Sequence, residues 1–500
     1  MRTAALIPYM IFIPLSAAFL IPPFGKKFKR AGDLISCLAS AVLAIMALYL
    51  AYSVALSKVL VYKPCGWQPH FGVALVADGL SGMMLSAMNI IALIVSVYSI
   101  GYLNTYTDRW KFSSLLMLML AGVNGVLVSG DIFTLYVFLE IAAISGYFLV
   151  AFGIAPNGLE AAFKYAVMGA LASALILLSI AFMYAQTSTL NIAGISVAVS
   201  QGLQDAEVIK FAAVLLLVAF GIKAALVPFH AWLPSAYSSA PAPISAMLAG
   251  VSTKVLGVYT LMRVFFTMFG VNSQISAILI TLGVASMIVA SIMAFVQIDI
   301  KRLFAYSSIS QIGYVVLGLG VGTPLAVFGA LFHLLNHSAF KALLFLASGA
   351  VTRLTGTRDL GRIRGVMKDS PVTGAATLIG SLSICGIPPL GGFWSKLIII
   401  LACVQAGRPV LAFTAAAVSV LTLAYYFRPL TRAIFGRSIT RGKEGAVTLS
   451  MGIAMAALMA ITVSTGLLLL PNTGNAILKE AASVVLNGKA YAAMVAGVLK

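Results

Sequence analysis

Apolar residues run along this chain in stretches of about twenty, cut by short polar segments. Each stretch is long enough to cross a ~30 Å hydrocarbon core at about 1.5 Å of rise per residue. The pattern predicts about fourteen helices, near residues 4–23, 33–56, 78–102, 112–129, 131–152, 160–184, 208–229, 243–267, 275–297, 303–320, 325–348, 372–403, 409–430 and 446–470. The first run leads straight into the others and lacks a small-residue cleavage site, so it is read as a helix rather than a removable signal. Residues 62–82 form a long loop before the third helix, with His70 in it as a solvated or partner-facing group.

Two places break the pattern. In GIKAALVPFHAWLPSAYSSAPAPISAMLAGVSTK, residues 221–254, Lys223 and Lys254 bracket Pro228, Pro234, Pro241 and Pro243 within the seventh and eighth helices. A charge at bilayer depth costs ~3 kcal/mol or more and proline removes a helical N–H, so this stretch must face protein or water. The twelfth helix is interrupted in the same manner, SICGIPPLGGFWSKLIII, with Pro388, Pro389, Gly391 and Gly392 ahead of Trp394 and Lys396. Both breaks are expected to line a cavity.

Other titratable groups lie inside apolar runs. Glu140 sits near the middle of the fifth helix. It is either a carboxyl that stays protonated in a dry interior or the partner of a lysine on a neighbouring helix, and Lys223 is the nearest candidate. Lys223 itself must bind an anion, pair with Glu140 or exchange protons. His230, inside the first break, can pass protons or serve as a hydrogen-bonded cap. Glu160 and Lys164 open the sixth helix as an i,i+4 pair, suited equally to a helix start and to proton entrance. In the eleventh helix, VFGALFHLLNHSAFKALLFLASG, residues His333, His337 and Lys341 recur every four positions and form one slowly drifting stripe. Two histidines so spaced can ligate zinc, but the helix carries no carboxylate or cysteine and Lys341 repels a cation. The stripe suits a proton relay through ordered water, against the plainer reading of a hydrogen-bonded helix interface. Asp78 and Asp131, at the heads of the third and fifth helices, read as N-caps.

Composition closes off most other classes. At 61% hydrophobic and 9% charged residues the chain is no soluble globular protein. Its net charge of +19 invites a nucleic-acid reading, yet the charges cluster in alternate loops. They fall at Lys26, Lys27, Lys29 and Arg30; at Arg109 and Lys111; at Lys301 and Arg302; at Arg353, Arg358, Arg362, Arg364 and Lys368; and at Arg428, Arg432, Arg437, Arg441 and Lys443. By the positive-inside rule these loops face the cytoplasm, which puts the N-terminus outside, in what is expected to be a prokaryotic plasma membrane. Cys37, Cys65, Cys385 and Cys403 are scattered, so no iron–sulfur or structural zinc site is expected from this chain alone, and no dinucleotide or P-loop motif is present. No cofactor and no metal are therefore expected. The tail after the fourteenth helix can lie on the membrane surface as an amphipathic helix or form a fifteenth span.

Two proline-broken, lysine-bearing helices separated by five helices point to two repeats, and an odd repeat length makes them inverted. The expected fold is an all-α polytopic membrane protein of about fourteen transmembrane helices, with two inverted five-helix repeats and discontinuous helices 7 and 12. The divisions are residues 1–110, a first repeat at 111–268, a second at 269–431, and a last helix and tail at 432–500.

DIFTLYVFLE, KAALVPFHAWLPSAYSSAPAPISAMLAGVSTK, HLLNHSAFKALLFLASG and GIPPLGGFWSK together resemble the antiporter-like family: the large membrane subunits of respiratory complex I, their counterparts in membrane-bound hydrogenases, and the large subunits of Mrp-type sodium/proton antiporters. The resemblance runs from the third to the thirteenth helix. It implies a proton path through Glu140, Lys223, Lys254, His333, His337, Lys341 and Lys396, with His230, Glu160 and Lys164 as candidate accessory groups. Glu140 and Lys223 would form a separable ion pair, Lys254 and the eleventh helix would join two half-channels, and Lys396 would be the terminal donor or acceptor. Implied partners are further antiporter-like subunits and a redox module, with protons, and sodium in the antiporter alternative, as cargo. The chain departs from the family in an inserted Leu256 and carries lysine where some members have glutamate in the twelfth helix; it is also expected to lack the long lateral helix seen in the most distal complex I subunit. A carrier of a small anion and a passive scaffold are the rival classes.

Overall fold

A computed structural model describes residues 3–64, 73–203, 206–270, 272–436, 447–470 and 475–499. His70, Cys65, Arg437, Arg441 and Lys443 lie outside the described residues, as do the side chains of Arg428 and Arg432. Among the described residues the structure is helical apart from one short antiparallel hairpin, β1 (Val59–Tyr62) with β2 (Leu75–Asp78). The sequence suggests only a loop there. Each strand is four residues long, too short to announce itself by alternation.

Among the described residues, twelve helices are long and apolar enough to span a membrane. They are α1 (Tyr9–Lys27), α2 (Ala31–Ser57), α3 (Gly79–Tyr102), α4 (Arg109–Val128), α5 (Ile132–Val150), α6 (Pro156–Thr187), α10 (Ala242–Phe269), α11 (Ser273–Phe295), α12 (Ile300–Val321), α13 (Pro324–Thr355), α16 (Pro409–Phe435) and α17 (Leu449–Ser464, continued by a 3-10 turn to Leu469). A short helix α7 (Ile192–Ser200), absent from the sequence expectation, follows α6. The other two expected spans are in pieces. The seventh is α8 (Glu207–Lys223) and α9 (Trp232–Ser239); the twelfth is α14 (Pro371–Cys385) and α15 (Gly391–Gln405). The protein is thus an all-α polytopic membrane protein with discontinuous seventh and twelfth helices.

Burial sorts the helices into a centre and a periphery. The most apolar window of α10 is wholly buried and those of α12 and α13 are 94% buried, whereas α2 and α6 are 39% buried and show Leu38, Ile45, Phe163 and Leu171 outward. Exposed leucine and phenylalanine on such helices face lipid, and polar residues collect where the helix meets only protein. Within α10, π-helical turns cover Leu248–Ser252 and Lys254–Tyr259. A π turn is how a helix absorbs an added residue without shifting its neighbours.

Two devices occur twice. Asp131 pairs with Asn191, and Asp299 with Asp359, as isolated antiparallel bridges, each member 168 residues from its counterpart. Each ties the start of one helix to the chain leaving a 32-residue helix that opens on proline, α6 in one case and α13 in the other. Likewise, the Leu226 N–H donates to the Gly221 carbonyl in the first break (2.9 Å) and the Ile387 N–H to the Leu382 carbonyl in the second (3.1 Å).

The charged ends hold two corrections. Lys301, expected in a solvated loop, lies in the first turn of α12, buried, and donates to the Ala240 carbonyl (2.7 Å). Asp78 does cap α3, accepting from the Ser81 N–H at 2.9 Å, but its carboxylate also meets Arg263 of α10 in a two-pronged pair at 2.6 and 2.8 Å. The tail forms α18 (Asn475–Leu486) and α19 (Gly488–Leu499), each too short to span, with Leu478, Ala481 and Val485 buried against the body and Tyr491 over the Arg263 guanidinium.

Candidate functional site

The first break brings the acid and the base together. Helix α8 ends on Lys223, and the Trp232 indole N–H reaches back to the Ile222 carbonyl (3.0 Å), so the chain is turned without stranding that group. Lys223 is buried and its Nζ stands 3.4 Å from Glu140 Oε1 on α5. A third residue completes the contact. The Ser173 hydroxyl on α6 donates to Glu140 Oε1 and accepts from Lys223 Nζ at 3.2 Å. Glu140 keeps 23% of its side chain exposed, so the group faces the edge of the protein while its partner faces the centre.

Lys254 lies deeper, fully buried in α10, where its Nζ donates to the Ala249 carbonyl of the preceding π-helical turn. Among the described residues it has no acidic partner. Two close approaches fix its position. A Cβ at Gly257 would lie 2.4 Å from Ala224 Cα, so α10 packs directly on the first break; one at Gly250 would lie 3.2 Å from the Ser338 carbonyl and 3.1 Å from Ala342 Cβ of α13. Lys254 therefore stands between the break and the histidine helix.

On α13 the stripe is present as spaced. His333 and His337 have parallel rings with centroids 6.2 Å apart. His333 Nδ1 is 2.9 Å from the Ser395 hydroxyl of α15, and its Nε2 has no partner among the described residues. Neither ring nitrogen of His337 has one there. Lys341 donates to the Phe304 carbonyl (2.7 Å) and to Ser307 (2.5 Å) on α12, and Ser307 in turn meets Tyr426 (2.9 Å). The line ends at the second break. Lys396 donates to the Ile384 carbonyl (2.6 Å) and lies 5.2 Å from the centre of the Tyr314 ring, which also flanks His333 at 5.7 Å.

The remaining candidates sit apart. Glu160 and Lys164 pair at 2.5 Å on the exposed first turns of α6 and make no contact with the buried line among the described residues. His230 lies in the turn of the first break, partly exposed, with Nδ1 unpartnered among the described residues. Reading charges alone misses Ser173, Ser307, Ser395 and Tyr314. A serine on an apolar helix is common, and only the register of three helices singles these out. The run AYSSISQIGY in α12 is the available signal, since so many polar residues in one span need polar partners.

Chemically, the site is a row of buried bases with one partly exposed carboxylate. Each can hold or release a proton, and the intervening hydroxyls and unpartnered ring nitrogens supply hydrogen-bonding stations between them.

Similarity to known proteins follows the same lines. Residues 129–422 match the family described as NADH:quinone oxidoreductase/Mrp antiporter, TM. The chain is 38% identical over 431 residues to the NADH-quinone oxidoreductase subunit N of Desulforudis audaxviator, covering 85% of this chain and 84% of the relative. It is 34% identical over 431 residues to a Na(+)/H(+) antiporter subunit of Alkalihalophilus pseudofirmus, covering 85% and 87%. Among solved structures, a chain of the Mrp complex from Dietzia sp. DQ12-45-1b superposes with a TM-score of 0.91 at 25% identity over 99% of this chain and 100% of that one. A chain of the membrane-bound sulfane sulfur reductase, an archaeal respiratory membrane complex, does so with a TM-score of 0.89 at 29% identity over 99% of each.

Proposed function

Because the chain belongs to the NADH:quinone oxidoreductase/Mrp antiporter transmembrane family, we propose that it is the proton-translocating, antiporter-like subunit of a multisubunit energy-converting membrane complex. The observation that carries this reading is the Glu140–Ser173–Lys223 contact at one end of a buried row that continues through Lys254, His333, His337 and Lys341 to Lys396. When the acid and base separate, the Lys223 ammonium loses its counter-charge in a low-dielectric site and its proton moves on to Lys254. From there it passes along α13 to Lys396. Losing one partner of a buried pair costs ~3–5 kcal/mol, comparable with moving one charge across ~180 mV at ~2.3 kcal/mol per 100 mV.

The partner complex supplies the motion that opens and closes the pair. Its composition, on this reading, includes further antiporter-like subunits and a redox module. The repeats are placed at residues 111–268 and 269–431, flanked by 1–110 and 432–500. The Lys and Arg of alternate loops face the cytoplasm of a prokaryotic cell and the N-terminus lies outside.

Proton uptake by inverted membrane vesicles containing the intact complex tests the reading. Lys223→Ala is expected to abolish uptake while the complex still assembles; uptake at the wild-type rate overturns it. A second reading, part of a sodium/proton antiporter, draws on the 34% identity to the Alkalihalophilus pseudofirmus protein. A sodium pulse that shifts vesicle pH without an electron donor selects it.

A further inference from the structure

The face of α12 that meets α13 carries one polar residue without a role so far. Gln311 is fully buried, and neither its amide nitrogen nor its oxygen has a hydrogen-bond partner among the described residues. A buried primary amide left with both ends unpaired is costly, and folded interiors rarely tolerate one.

The register of the two helices shows what Gln311 faces. They run antiparallel, with Gly318 against Ala330, Tyr314 against His333 and Ser307 against Lys341. From Gly318 to Ser307 along α12 the chain covers the same number of residues as from Ala330 to Lys341 along α13, with Tyr314 and His333 between. Gln311, one turn from Ser307 and one turn from Tyr314, is thereby set opposite His337, one turn from Lys341 and one turn from His333. Between these two helices His337 is the other fully buried side chain with every polar atom unpartnered among the described residues. Asn336 is not its partner, because the Asn336 amide donates to the Phe332 carbonyl and its oxygen lies over Gly391. Nor is His333, whose ring is parallel to that of His337 and whose Nδ1 is committed to Ser395.

We propose that Gln311 is a positioning residue of the proton path: together with His337 it holds a water between α12 and α13, and this water joins Lys341 to the histidines. The inference rests on the translocation reading given above. Water fits because it offers two donors and two acceptors to groups that need both. Glutamine fits because its amide donates from one atom, accepts at another and never titrates. It can therefore hold the water in either orientation while His337 takes a proton at one ring nitrogen and gives one up at the other, and it does not trap the proton. A carboxylate at the same place would pair with a nearby ammonium and hold the charge still. A leucine would remove the station.

The test uses vesicles containing the intact complex, with assembly and proton uptake measured together and Lys223→Ala as the reference. Gln311→Leu is expected to lower uptake roughly tenfold, the scale of one lost buried hydrogen-bond link. Gln311→His, which restores a donor and an acceptor, is expected to recover uptake to within about twofold of wild type. Wild-type uptake by Gln311→Leu, beside a dead Lys223→Ala, overturns the inference and leaves the translocation reading standing; wild-type uptake by both overturns the reading itself. Equal loss in the leucine and histidine variants assigns Gln311 a packing role only and overturns the inference too. Should the leucine variant not assemble, a density map of the unmodified complex decides. A water in hydrogen-bonding reach of both Gln311 and His337 supports the assignment, and a direct bond between the two side chains without water overturns it.

Discussion

Lys223 is held by a carboxylate at 3.4 Å and a hydroxyl at 3.2 Å, so the Ser173 oxygen is as much a part of the pair as Glu140. A hydroxyl that accepts from the base and donates to the acid keeps both in reach of one another when the direct contact is long. Hydrogen bonds to charged groups are worth ~1.5–3 kcal/mol, so Ser173→Ala is expected to slow proton uptake by roughly tenfold, and Ser173→Thr to keep most of it. Uptake unchanged in Ser173→Ala would show that the acid and base need no intermediary. The charged members of the site are legible in the sequence because a lysine or glutamate inside an apolar run has few explanations. The hydroxyls are not, because serine is at home on any helix and its partners come from other spans. Arg263 stands in plain sight within the eighth span, and the same rule that flags Lys254 applies to it.

The two broken helices are where element and function meet. Prolines and glycines announce both breaks, and the structure has them at the expected places. What the sequence leaves out is how the freed groups are satisfied: Trp232 serves the Ile222 carbonyl, Ser286 accepts from the Val227 N–H at 2.9 Å, and Lys396 serves the Ile384 carbonyl. The π turns of α10 are also hidden, since one added residue leaves the apolar pattern of a buried helix intact. Their effect is to lay Gly257 on Ala224, with no room for a side chain. Gly257→Val should therefore push α10 off the first break, cost ~1–3 kcal/mol in overpacking, and lower both the thermal stability of the complex and its proton uptake. A variant that unfolds and pumps as the wild type does would show that this contact is not needed. The Asp78–Arg263 pair and the inward turn of Lys301 escape a sequence reading for a common reason. Both depend on residues far along the chain, Asp78 on Arg263 and Lys301 on Ala240.

At the scale of the whole molecule, two similar devices face a shared centre made of α10, α12 and α13, and a separate tie holds the periphery to it. Asp78 and Arg263, both buried, join the hairpin and α3 to the far end of α10, and Tyr491 brings the tail to the same point. Removing one partner of such a pair strands the other charge, so Asp78→Ala is expected to destabilise the protein by ~3–5 kcal/mol, seen as an earlier thermal transition of the complex. An unshifted transition would mean the pair contributes nothing. Beyond Lys223 the row of bases is another matter, because buried titratable groups without an acidic partner are a burden on stability, and proton translocation is the role proposed for them. Lys254 puts that claim to its most direct test. It is fully buried, lies between the first break and α13, and has no acidic partner among the described residues. Methionine matches its shape without its charge, so Lys254→Met is expected to leave the assembled complex as stable as the wild type or more so. Proton uptake in vesicles of that complex is expected to fall to background; uptake at the wild-type rate would contradict the account.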